Sequence, residues 1–83
     1  MWYTGDLGNY SWEAKVYDKP SRYGIYGGRV SKLRIRDCFR NWVVNYDRGW
    51  DVVPEGEIIG VFEELLLYLE DLPLRKEQAL ACE

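Results

Sequence analysis

The sequence predicts an α+β domain: a small antiparallel β-meander of three to four strands with one amphipathic helix packed on one face. Three observations predict it. Residues 12–17 and 29–38 alternate apolar and polar side chains at period two, as half-buried strands do. Turn-forming residues separate these runs at short intervals. From Ile58 onward the period changes, and Ile58, Val61, Phe62, Leu65, Leu69 and Leu72 share one helical face. Strands followed by a helix with a single apolar stripe bury both by stacking as two layers.

Residues 1–11 read as an N-terminal extension or a hairpin. Gly5-Asp6 and Gly8-Asn9 are turn dipeptides, so a short strand at Trp2-Tyr3 is expected to turn back into the next one. The meander is expected over 12–47. In its first strand Trp12, Ala14 and Val16 oppose Glu13, Lys15 and Tyr17. Pro20 ends that strand because it lacks a ladder donor. Tyr23 to Gly28 is a glycine-rich connection with a tight turn at Gly27-Gly28. Arg29 to Cys38 is the clearest strand, with Ser31, Leu33 and Ile35 on one side and Lys32, Arg34 and Arg36 on the other. Asp37 to Asn41 turns into a strand at 42–46, with Trp42, Val44 and Tyr46 facing one way and Val43 and Asn45 the other. Asp47 to Asp51 is expected to end it in a loop. The helix is expected over 54–72, with Pro54 in its first turn and Glu55 and Glu57 at its positive end. Pro73 stops it, and 73–83 is a tail able to form a short second helix.

Eighty-three residues support one domain with a modest core. Four Trp, seven Tyr and two Phe imply that rings either build that core or are displayed for contact. No charged-then-apolar leader opens the sequence and no apolar run is long enough to span a bilayer, so a cytoplasmic location without membrane contact is expected. Catalysis is not expected, since the chain has no His to pair with a Ser or Cys nucleophile. Cys38 and Cys82 without His do not make a zinc site, and a reducing compartment leaves them as thiols. Asp47 and Asp51 around a turn are better explained by turn hydrogen bonds than by a metal. The expectation is therefore no catalytic residue, no metal and no cofactor.

Charge is segregated along the chain. Residues 1–51 carry nine basic and six acidic side chains, net +3, and residues 52–83 carry two and eight, net −6, which together give −3. Three binding surfaces follow. The first is the helix face opposite the apolar stripe, where Glu63, Glu64, Glu70 and Asp71 ring Leu67. A hydrophobic anchor with a charged rim has the anatomy of a protein-binding patch, and the acidic rim suits a partner with a basic surface, such as a nucleic-acid-handling nuclease. The second is the run Tyr46, Asp47, Arg48 and Trp50, rich in residue types enriched at hot spots, although Trp50 serves equally as a core plug. The third is the basic row Lys32, Arg34 and Arg36 with Arg40 nearby, the pattern of a sheet that binds nucleic acid. The acidic overall balance ranks nucleic acid below a protein partner. A small homo-oligomer formed through a strand edge or an aromatic patch is the remaining alternative.

The run from Tyr23 to Leu33, YGIYGGRVSKL, followed by Val43 to Asp51, VVNYDRGWD, resembles a family of uncharacterised small proteins of Gram-positive phages and integrative elements. The resemblance covers residues 12–70. It implies a mobile-element setting but carries no activity. Small acidic proteins of such elements often occupy host machinery, so the resemblance suggests, by analogy of class, an inhibitor of a defence nuclease such as a CRISPR effector.

Overall fold

The computed structural model describes residues 1–72. The expected tail at 73–83, with Cys82, lies outside the described residues. The architecture is α+β, with five antiparallel strands in place of the expected three to four: β1 (Trp2–Leu7), β2 (Tyr10–Val16), β3 (Val30–Arg36), β4 (Trp42–Asp47) and β5 (Trp50–Val52). They lie in sequence order, β1-β2-β3-β4-β5, so each strand pairs with its chain neighbour. Helix α1 (Ile58–Glu70) follows and packs over β3 and β4.

The added strand, β5, and the extension of β1 beyond the short strand expected at Trp2-Tyr3 both arise where turn residues suggested otherwise. Residues 1–11 are a hairpin arm, not an extension: only Gly8-Asn9 turns, with Gly8 at φ 62, and the ladder runs unbroken from Leu7↔Tyr10 to Trp2↔Lys15. Gly5-Asp6 stays extended. Gly5 is needed there for space, since a Cβ would lie 2.8 Å from the Trp12 ring that covers it. At the other edge Trp50–Val52 is a strand and not a loop, because Trp50 falls opposite Tyr46 and the two rings meet edge to face at 5.0 Å. Trp50 also packs on Phe62 of the helix at 5.5 Å, so ring burial sets the register of this short hairpin.

A bulge changes one face assignment. Ile35 pairs Val44, but the next residue, Arg36, pairs Trp42 and skips Val43. The extra residue turns Trp42 off the core face, where alternation with Val44 and Tyr46 had placed it, onto the outer face. Val43 packs against the core in its place.

The core is Ala14, Val16, Ile25, Val30, Leu33, Ile35, Val44 and Tyr46 under Ile58, Phe62, Leu65 and Leu69. The expected helical stripe is therefore the buried one, with Val61 and Leu72 at its margins. The helix starts four residues later than expected. Gly56 at φ 61 is left-handed and cannot continue a right-handed helix, so Pro54 and Glu55 lie outside it and Glu57 is the N-cap.

Two residues 41 apart in sequence join the layers. The backbone N–H of Arg29 donates to both carboxylate oxygens of Glu70 at 2.8 and 3.0 Å, and the N–H of Val30 donates to one of them at 3.2 Å. In return the Arg29 guanidinium donates to the backbone oxygens of Glu70 (2.9 Å), Leu72 (2.7 Å) and Tyr17 (2.8 Å). Strand entry and helix exit thus satisfy each other's unpaired backbone groups. Replacing Glu70 by Ala leaves two N–H groups at the entry to β3 without their acceptor. We expect Glu70→Ala to cost about 2 kcal/mol, read as a lower denaturation midpoint at unchanged slope.

Candidate interaction surfaces

The outward face of α1 keeps most of the acidic patch. Glu63, Glu64 and Asp71 are exposed, and Leu67 between them is 74% exposed. Glu70 does not belong with them: its carboxylate is turned inward onto Arg29 and Val30, so three carboxylates and not four rim Leu67. Tyr68 extends the patch instead. It is exposed, and its ring meets Trp12 edge-on at 6.5 Å. Its helical position, one residue from the predicted anchor, could have flagged it.

The opposite surface is the outer face of the sheet, which carries the basic row. Arg34 pairs with Glu13 at 3.1 Å and Lys32 with Asp47 at 3.6 Å, so two of the expected cations are partly neutralised. Arg36 lies over the ring of Trp42 at 3.9 Å. Trp2 lies between Lys15 (6.0 Å) and Lys32 (5.8 Å). Trp2, Lys15 and Trp42 are thus members of this face that one-dimensional reading missed. Strand pairing reveals them, because Trp2, Lys15, Lys32 and Asp47 form one row across four strands and the bulge sets Trp42 opposite Arg36. Arg40 is not brought to the face; it sits in the β3–β4 turn at φ 67, its N–H bonded to the carbonyl of Asp37 at 3.0 Å. Cys38 is exposed in the same turn.

The Tyr46–Trp50 run splits between roles. Tyr46 is buried and its hydroxyl donates to the carbonyl of Tyr23 at 2.7 Å, which joins the glycine-rich connection to the sheet. Asp47 serves the Lys32 pair. Arg48 takes φ 59 at the β4–β5 turn, where its N–H bonds the carbonyl of Ser31 at 3.1 Å. Trp50 is half core plug, 37% exposed, and beside Phe62 lies Tyr26, itself 81% exposed.

A cleft of about 390 Å³ opens between β1 and the helix, floored by Gly5 and Leu7 and walled by Trp12, Leu65 and Tyr68. The charged residues in its lining are Asp6 and Glu64. It exists because a single helix over β3 and β4 does not reach the β1 edge.

Electrostatics single out one phenol. Hydrogen bonding with the buried Ser31 hydroxyl, opposed by desolvation and aided by the charge of Lys15 and by hydrogen bonding with Lys15 and Arg48, holds Tyr17 below the ordinary tyrosine value of 10.0. The native chain therefore releases this proton at lower pH than the unfolded chain. An ultraviolet titration should show one early tyrosine, and Ser31→Ala should move it upward.

Among the described residues no helix is long and apolar enough to cross a membrane. Comparison with curated proteins and with solved structures finds nothing that matches the chain. A family model described as a domain of unknown function, DUF7678, matches residues 1–70, which takes in every strand and the helix. The chain belongs to the DUF7678 family.

Proposed function

We propose that this protein is a non-enzymatic binding protein of the bacterial cytoplasm that engages a host protein through the outward face of α1. The observation that carries this reading is Leu67, 74% exposed among Glu63, Glu64 and Asp71 and next to the exposed Tyr68. An apolar anchor with an aromatic neighbour supplies affinity, and the carboxylate rim speeds encounter with a basic surface. A basic surface of this kind is what nucleic-acid-handling proteins present. With the resemblance to phage and integrative-element proteins, this supports a stoichiometric inhibitor or modulator of a defence nuclease, of which a CRISPR effector is one kind.

The test is a tagged capture from the bacterial host after nuclease treatment. One basic protein in near-stoichiometric yield is expected with the native chain. Leu67→Arg should weaken that capture at least thirtyfold, the equivalent of about 2 kcal/mol for a lost hot spot. It should leave the fold intact because the side chain is solvated. Unchanged capture by Leu67→Arg removes this face from the interface.

A second reading rests on Arg36 and Trp42, stacked at 3.9 Å on the sheet face away from the helix. Together with Trp2, Lys15 and Lys32 they offer ring faces and cations to a single strand of nucleic acid. Tryptophan fluorescence with a single-stranded oligonucleotide should then report binding that falls steeply with salt. Silence at low salt eliminates this reading.

A further inference from the structure

Strand β1 is an open edge with the properties of a docking strand. Its partner on one side is β2, and no strand among the described residues lies on the other. Met1 and Val16 exchange backbone bonds, the Met1 amine donating to the Val16 carbonyl at 3.2 Å and the Val16 N–H to the Met1 carbonyl at 2.9 Å. In an antiparallel ladder such pairs alternate, so Tyr3, Gly5 and Leu7 also bond inward. The backbone groups of Trp2, Thr4 and Asp6 therefore point outward along the free edge.

Natural sheets usually blunt such an edge with a Pro, a Lys, a bulge or short length. The other edge, β5, has only three residues and is soon followed by Pro54. β1 has six residues, no Pro, no Lys and an unbroken register. The cleft between β1 and the helix lies on the core side of this same edge. A strand added beside β1 would direct alternate side chains into it. Its volume, about 390 Å³, is at the small end of the range for ligand pockets. Its lining includes Trp12 and Tyr68, and the carboxylate on its core side is that of Glu64, since Asp6 shares a strand face with Trp2 and directs its side chain to the outer face. Aromatic walls with a carboxylate favour a cationic side chain.

We infer that β1 accepts an extended basic segment of the partner as a sixth strand, with one arginine or lysine side chain seated against Trp12 and Tyr68 beside Glu64. This deepens the protein-binding reading and rests on it, since Glu64 belongs to both the helix patch and the cleft.

The probe is a short peptide alternating valine and arginine, with glutamate in place of arginine as the control, titrated into the isotope-labelled full chain and followed by amide and indole resonances. The arginine peptide is expected to move the amides of Trp2, Thr4 and Asp6 and the indole N–H of Trp12; the glutamate peptide should move none of them. Thr4→Pro removes an outward N–H without touching the β2 ladder and should weaken binding at least tenfold. Glu64→Lys should do the same, and it decides the matter if Thr4→Pro does not fold. Shifts confined to Glu63, Leu67 and Asp71 would overturn the added strand while leaving the helix-face reading standing. Absence of any shift, or equal affinity in both variants, would overturn it as well. A concentration-dependent dimer by light scattering that Thr4→Pro abolishes would assign the edge to a second copy and also overturn it.

Discussion

The reciprocal bond between Arg29 and Glu70 is the constraint on which the rest of this structure depends. A chain entering a central strand from a loop carries N–H groups that no ladder has yet claimed, and a helix ends with carbonyls that no further turn will bond. Here each end supplies what the other lacks. The carboxylate of Glu70 accepts from the N–H groups of Arg29 and Val30, and the guanidinium of Arg29 donates to the carbonyls of Glu70 and Leu72. The guanidinium also places positive charge at the negative end of the helix dipole. This bond holds the helix C-terminus to the start of β3, and the apolar stripe of the helix then settles over β3 and β4. The rotation that results buries Leu65 and Leu69 and leaves Leu67 outside.

Several surface features follow from that placement. One helix, about 10 Å across with its side chains, cannot roof a five-stranded sheet whose outer strands are about 19 Å apart. Its coverage is central, so each flank is closed with rings. At the β5 flank Trp50 bridges Tyr46 and Phe62. At the β1 flank Trp12 lies across Gly5 and touches Tyr68, and the closure is incomplete, which is the origin of the cleft. No element among the described residues roofs the outer face of the sheet, and there Trp2 and Trp42 sit among lysines and arginines. Aromatic richness in so short a chain is thus divided between flank closure and display. Acidic side chains gather on the helix layer and cations on the outer sheet face, so the molecule is polarised across its thickness.

Much was legible in the sequence because it is local. Alternation at Ser31, Leu33 and Ile35 against Lys32, Arg34 and Arg36 located β3 and its two faces. Helical spacing from Ile58 to Leu69 identified the buried stripe and, by subtraction, Leu67, Glu63 and Glu64 as surface. What misled were residues whose local preference was overruled. Gly5-Asp6 resembles a turn but is strand, since the missing Cβ makes room for Trp12. Trp50 looked like loop until its ring found Tyr46 and Phe62.

The sequence by itself determined the class, the order of most elements, the core stripe and the segregation of charge, because side-chain period and turn chemistry act over a few neighbouring residues. Tertiary structure alone decided three things. It withdrew Glu70 from the acidic patch through a partner 41 residues away. It turned Trp42 outward through a bulge that depends on pairing with β3. It also set Trp2, Lys15 and Lys32 in one row and left a cleft beside an open edge. Each depends on which strand lies next to which and in what register. That is a property of the assembled sheet, and no short window of sequence contains it.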